Sequence, residues 1–446
     1  MQGSPIYRDN RARFMALLAQ RGAAAIVPTA SAKIRNHDSE YRFRPDSDFW
    51  YLTGFGEAES VLVLLPGSPA AAAPRSVLFL REKKRDEEVW TGLRLGLDAA
   101  PAALGVDAAH PISELWSRLP KLLEGYERVV YRRGLDETRD RNVHGVLAKL
   151  RAQVRSELPL PMELIDPALL LHELRLFKTG EELGLMRRAA AITTEAHVAA
   201  MRETRPGMRE NEIDALLTYT FLRRGASGAA YGNIVAGGAN ACILHYHEND
   251  RELKDGDLLL IDAGAEFECY ASDVTRTFPI NGRFSPEQRA LYEVVLAAQL
   301  AAIEHVQPGH GFQSVHEVAV RVLCEGLAAL GLLHGDVEEL RRGEAYKRFY
   351  MHRTGHWLGL DVHDCGAYVV GGASRTMQPG QVLTVEPGLY VAPDDEQVEP
   401  RWRGIGIRIE DDLLVTATGH EVLTREIPKS VEDVERACAR PLARAR

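Results

Sequence analysis

Residues 258–276 read LLLIDAGAEFECYASDVTR: two strand-like apolar runs joined by a turn, with Asp262 closing the first and Asp273 opening the second. A carboxylate inside such a run is costly unless it is paired or bound to a cation. If the runs pair as a hairpin turning around Phe267 and Glu268, positions 262 and 273 lie directly opposite on one face. Like charges across a strand pair repel, and a cation between them removes the conflict. Taken alone, the hairpin also admits a plainer account, with one carboxylate capping a turn and the other paired with Arg276.

The same anomaly recurs downstream. Glu386 closes an apolar run in VLTVEPGLY (382–390), and Glu410 does so in GIGIRIEDD (404–412). His356, in MHRTGHWLGLDVHD (351–364), adds a nitrogen donor, with His352 four residues before it and His363 seven after. The spacing of His352 and His356 matches that of a zinc-peptidase helix, but Arg353 stands where that motif requires Glu, so the motif fails. Four carboxylates and an imidazole make an oxygen-rich, nearly neutralised site for two divalent cations. That donor set favours manganese or a similar hard ion over a thiolate-selected metal, with zinc or cobalt as alternatives.

Around these segments the pattern is α+β. Gly180 to Arg205 is a predicted helix with Thr179 as N-cap, and Arg209 to Arg224 is a second. Long helices are expected at Ser285 to His305 and Ser314 to Leu330. Strands are expected at Leu258 to Ala263, Val274 to Pro279, Val382 to Val385, Leu389 to Ala392 and Gly406 to Val415. The first third mixes an amphipathic helix, Arg11 to Gln20, with short buried strands at Ala23 to Val27, Val61 to Leu65 and Ser76 to Leu80. Pro69 to Pro74 reads as a surface loop and ELPLPMELIDP (157–167) as a linker. At 446 residues the chain exceeds the size of a single growing core, so two domains are expected, 1–172 and 173–446.

A formal net charge of -9 argues against broad nucleic-acid binding. The amino terminus, MQGSPIYRDNRARFMALLAQRG, carries charges where a signal peptide needs an apolar core, and no run is long enough to span a bilayer, so a cytoplasmic protein is expected. Cys242, Cys269, Cys324, Cys365 and Cys438 are odd in number and never form a CxxC pair, which supports neither a disulfide framework nor a thiolate zinc site. No G-x-S-x-G elbow is present, so a covalent acyl-enzyme is not expected. SGAAYGNIVAGGAN (227–240) lacks the spacing of a phosphate loop and reads as turns beside the floor of a site.

Taken together, IDAG with the following Asp273, HWLGLDVHD, TVEPGLY and GIGIRIEDD resemble the five-ligand signature of the proline-specific metallopeptidases of family M24, most closely bacterial-type aminopeptidase P. DSEYRFRPDSDFWYLTGF (38–55), LHELRLFK (171–178) and ILHYHEN (243–249) extend the resemblance over nearly the whole chain. It implies a pita-bread catalytic domain behind an amino-terminal creatinase-like α/β domain. It also implies two divalent metal ions per subunit, a dimer or tetramer, and release of the first residue from peptides with proline second.

By the same resemblance, Asp273 and Glu410 bridge both metals, Asp262 binds one, and His356 and Glu386 bind the other. Two ions roughly 3.5 to 4 Å apart lower the pKa of a shared water and polarise the scissile carbonyl. Glu386 would be the general base, and His245 and His363 would face the substrate carbonyl and leaving group. His352, Tyr390 and Arg408 would contact substrate, with the pyrrolidine ring held by apolar residues of the GLY and HWLG segments. Asp38 and Trp90 match positions that close the free amino end. Arg353 and Thr354 depart from the small or apolar residues of relatives, and His247 from a smaller polar one, which bears on substrate range rather than on the metal site. A prolidase shares all five ligands; a creatinase-type hydrolase or a non-catalytic pita-bread protein does not keep them.

Overall fold

Val61–Leu65 is buried at every position, as a strand covered on both faces must be, and it lies inside a six-stranded mixed sheet. That sheet runs in the spatial order Ala108–Pro111, Arg75–Leu80, Val61–Leu65, Ala23–Pro28, Arg128–Val130, Glu163–Ile165. The Val61–Leu65 strand is antiparallel to both neighbours, and the remaining pairs are parallel. Leu119, Leu123, Val143 and Leu147 from two helices cover one face of it. These elements belong to the first of two units, Met1–Arg175 and Leu176–Arg446, of a computed structural model that describes residues 5–67, 73–153 and 155–439.

Within the first unit, the 157–167 segment is not a linker. Residues 163–165 form the edge strand against Arg128–Val130, because a proline-flanked run still fits at a sheet edge. Of the 69–74 stretch, residues 69–72 lie outside the described residues. DSDFWYLT, whose strand-like aromatic composition conceals it, contains a helix, Ser47–Thr53, capped by the Asp46 side chain. Asp48 in that helix is held by Arg175 at 2.7 Å and His172 at 3.0 Å.

The second unit opens with the helix Gly180–Glu203, whose Thr179 and Glu182 form a reciprocal capping box. Immediately before it, the Lys178 ammonium meets Asp364 at 2.9 Å, both almost fully buried, and so ties this helix start to the DVHD loop. Helices Glu210–Arg223, Pro286–His305 and Phe312–Ala329 follow. The strands form small antiparallel sheets: Leu258–Asp262 lies between Ile234–Gly237 and Thr275–Pro279, and Asp411–Val415 between Val382–Val385 and His420–Val422. Leu217, Leu291 and Val295 from the helices pack with Leu259, Ile261, Phe278 and Ile407 in one core.

Two sequence expectations need correction here. Asp262 pairs with Thr275, not Asp273, and Phe267 pairs with Tyr270, so the hairpin turns at Glu268 and Cys269, both at positive φ. Moving the turn by one residue moves the partner of position 262 by two. Asp273 therefore stays on the same face but sits diagonally from Asp262. The second correction concerns Gly406 to Val415, which is not one strand. Gly406–Arg408 pairs with Gly388–Tyr390, while Asp411–Val415 pairs with Val382–Val385, and Glu410 occupies the break.

Candidate metal centre

Two glycines let the backbone close around the site. A Cβ at Gly264 would lie 1.7 Å from the Ser272 carbonyl oxygen, and one at Gly355 would lie 2.0 Å from that of Thr384. The first crossing brings Asp262 and Asp273 together, and the second seats the His356 loop on the strand that ends at Glu386. The Asp273 amide donates to the Asp412 carboxylate, which also accepts from the Ser272 hydroxyl at 2.7 Å. The Glu410 amide donates to the Thr275 carbonyl at 3.0 Å, and the Thr275 hydroxyl donates to Glu410 Oε2 at 2.7 Å. Each carboxylate is thus aimed by a neighbouring strand.

Asp262, Asp273, His356, Glu386 and Glu410 line one cavity of about 930 Å³, together with His245, His352, His363 and Arg408. Donor atoms of Asp273, His356 and Glu410 lie within 4.8 Å of one another. His356 Nε2 is 3.2 Å from Asp273 Oδ2 and 3.7 Å from Glu386 Oε1, while its Nδ1 faces the Trp357 carbonyl at 3.0 Å. That backbone contact fixes the tautomer that leaves Nε2 free to ligate. Burial alone would lower the His356 pKa, but the hydrogen bond that the ring donates to Asp273 and the charges of Asp273 and Glu386 carry it up to about 9.

The carboxylates show the opposite strain. Burial, with Asp273 crowding it, pushes Glu386 up to about 7 against the pull of His356, and burial with the same neighbour raises Glu410 well above the carboxylate range. Asp262 is raised as well, by burial and Asp273, even though Arg408 opposes the shift. Four acids, Asp273 and Glu410 buried and Asp262 and Glu386 half-buried, facing one imidazole and one guanidinium are a site short of positive charge. Divalent cations fit both that deficit and the oxygen-rich donor set.

Around the acids runs a hydrogen-bonded frame. The Arg408 guanidinium donates to Asp262 Oδ2 at 2.6 Å, to the Tyr390 hydroxyl at 2.9 Å and to the Thr275 hydroxyl at 3.0 Å. His352 Nε2 meets the Tyr390 hydroxyl at 2.8 Å, and its Nδ1 is 3.6 Å from Glu386 Oε2. His363 is exposed, its ring 4.4 Å from that of His356, and His245 is exposed on the cavity wall. Asp38 and Trp90 belong to the first unit and are exposed, Trp90 at 87%.

Sequence reasoning missed two features of this frame. Tyr231, inside SGAAYGNIVAGGAN, donates its hydroxyl to Asp262 at 2.7 Å and to Asp273. A polar-tipped aromatic among turn glycines was its only local signal. The apolar wall also differs from expectation. It is built from Ile234, Leu244, Phe312, Val362, Tyr368 and Val369 rather than from the GLY and HWLG segments. Trp357 is wholly buried, packed against Phe312 and stacked on Tyr368 at 5.6 Å, and so supports the wall from behind. Tyr390 is buried and presents its hydroxyl to His352 and Arg408.

Comparison with known proteins gives a consistent picture. The model of metallopeptidase family M24 matches residues 184–417, and that of the aminopeptidase P N-terminal domain matches residues 7–131. The chain is 47% identical to an Xaa-Pro aminopeptidase of Escherichia coli over 93% of both proteins, and 42% identical to one of Haemophilus influenzae over 96% of both. Among solved structures it resembles the aminopeptidase PepP of Pseudomonas aeruginosa, with a TM-score of 0.94 and 50% identity over 98% of this chain and 99% of that one. It also resembles zinc-substituted Escherichia coli aminopeptidase P in complex with product, with a TM-score of 0.93 and 45% identity over 97% of both.

Proposed function

Because the chain belongs to metallopeptidase family M24 and carries the amino-terminal domain of aminopeptidase P, we propose that it is an Xaa-Pro aminopeptidase, releasing the first residue from peptides with proline second. The observation that carries this reading is the convergence of Asp262, Asp273, His356, Glu386 and Glu410 on one cavity large enough for a short peptide.

These five residues would hold two divalent metal ions, manganese by preference, which when bound supply Lewis acidity toward the scissile carbonyl and lower the pKa of a water. Asp273 and Glu410 would serve both ions, Asp262 one, and His356 with Glu386 the other. Glu386 takes the proton from the attacking water and passes it to the departing proline nitrogen. His245 and His363, on the wall facing the acids, donate to the substrate carbonyl as it becomes an oxyanion. Arg408 holds Asp262 in place and, with Tyr390, orients His352 toward substrate. Ile234, Leu244, Phe312 and Val369 offer the rigid pyrrolidine ring an apolar surface.

The first unit, residues 1–172 by the sequence reading, would serve subunit association and closure of the free amino end through Asp38 and Trp90, in a dimer or tetramer. A cytoplasmic setting, expected from the charged amino-terminal stretch, belongs to the same proposal.

The test is hydrolysis of a proline-second tripeptide and of an Xaa-Pro dipeptide by protein stripped of metal and resupplied with manganese, beside Asp273→Ala. Metal-dependent release of the first residue from the tripeptide supports the aminopeptidase. Cleavage of the dipeptide alone makes the protein a prolidase, and no cleavage with metal bound rejects both.

A further inference from the structure

Arg353, in the HRTGH segment, has surroundings that suggest a use for it. It lies on the loop before His356, and its Nη1 donates to Gln313 Oε1 at 2.7 Å at the start of the helix Phe312–Ala329. Both residues line the cavity that holds the metal ligands. Two guanidinium groups line that cavity among the described residues, and they are placed very differently. Arg408 is buried and paired with Asp262 at 2.6 Å. Arg353 is exposed, its partner is a neutral amide, and no carboxylate lies within ion-pair distance of it among the described residues.

A guanidinium is always charged and presents a planar fork matched to a carboxylate. In a cavity whose own acids converge on the metal centre, an exposed fork without an acidic partner is a receptor for an acid brought by the substrate. The spacing agrees. His352 and Arg353 are consecutive, about 3.8 Å apart at Cα, and the His352 ring already approaches Glu386 at 3.6 Å. An extended substrate advances about 3.5 Å per residue, so a group one residue past the proline stands roughly 7 Å from the scissile bond. An arginine side chain anchored next to His352 is long enough to cover that distance.

We propose that Arg353, steadied by Gln313, is a specificity residue that receives a carboxylate one residue beyond the substrate's proline: the α-carboxylate of a tripeptide, or the side chain of Asp or Glu in the third position. The assignment rests on the aminopeptidase reading above.

The experiment compares kcat/KM for Val-Pro-Leu, Val-Pro-Leu-amide and Val-Pro-Glu-amide in the manganese-loaded wild type, Arg353→Ala, Arg353→Lys and Gln313→Glu. The readout is the ratio of each acidic substrate to the neutral amide. In the wild type that ratio is about ten, carried by KM, the worth of one charge-assisted contact at a wet site. It falls toward one in Arg353→Ala and in Gln313→Glu, where an internal carboxylate takes the fork, and Arg353→Lys keeps part of it. A preference for Val-Pro-Leu alone assigns the α-carboxylate, and one for Val-Pro-Glu-amide alone assigns the side chain; either upholds the proposal. A ratio near one in the wild type, or one unchanged in Arg353→Ala, overturns it while leaving the aminopeptidase reading intact. Failure to release valine from all three substrates overturns both.

Discussion

The Arg276 guanidinium meets the Asp411 carboxylate at 2.7 Å, and neither side chain is exposed to solvent. Lys429 and Gln299 also reach Asp411, each at 2.7 Å, and Arg276 donates to the backbone carbonyl of Glu410. The pair therefore braces the strand break that presents Glu410 to the cavity. Removing one partner leaves the other charge buried and uncompensated, which costs about 3–5 kcal/mol. Asp411→Ala is expected to lower the unfolding free energy by that amount, read from urea melts. Exchange of both residues for apolar ones of similar volume should recover much of it.

Tyr231 faces two carboxylates with one hydroxyl proton. It orients Asp262 and Asp273 without being able to ligate as strongly as they do, so Tyr231→Phe should leave the fold intact and weaken manganese binding by about 10- to 100-fold. Titration calorimetry on the stripped protein measures this directly. Unchanged affinity would reduce the tyrosine to a packing role.

Glu386→Gln removes the proposed proton carrier while keeping the side chain's shape. A loss of about 10²- to 10⁴-fold in kcat is expected, with tripeptide still bound. Metal analysis of the same preparation separates lost proton transfer from lost metal, because only the latter is repaired by excess manganese.

Two histidines outside the ligand set make the fold sensitive to acid. Burial lowers His197 to about 4, where its Nε2 faces the Ala263 carbonyl, and burial with Arg353 and Lys347 lowers His316 to about 4. Both are neutral in the folded and unfolded chain above pH 6.5, so neither affects stability there. As pH falls from 6.5 toward 4 the unfolded chain takes up protons that the folded one refuses, and stability drops until both states are charged. The urea midpoint should decline across that window, and His316→Gln should flatten part of the decline.

Much of this protein was legible locally. Thr179 with Glu182 announced its helix because a capping box is complete within four residues. The candidate acidic ligands stood out because an acid in an apolar strand is costly wherever the strand lies. By contrast, the helix in DSDFWYLT was hidden by strand-favouring aromatics, and its stability comes instead from the Asp46 cap and the burial of Phe49 and Tyr51.

The residue types of the candidate metal centre, the helix start at Thr179 and the α+β class were thus legible in the sequence alone, since each depends on the chemistry of a few adjacent residues. The rest was decided by contacts between distant parts of the chain. Arg276 and Asp411 are 135 positions apart. Tyr231 meets Asp273 across 42. The hairpin register follows from two left-handed residues at its turn, and the cavity wall from Phe312 and Tyr368 lying over Trp357. Such pairings depend on how strands and loops pack in three dimensions, and no local pattern encodes which remote partner a side chain will meet.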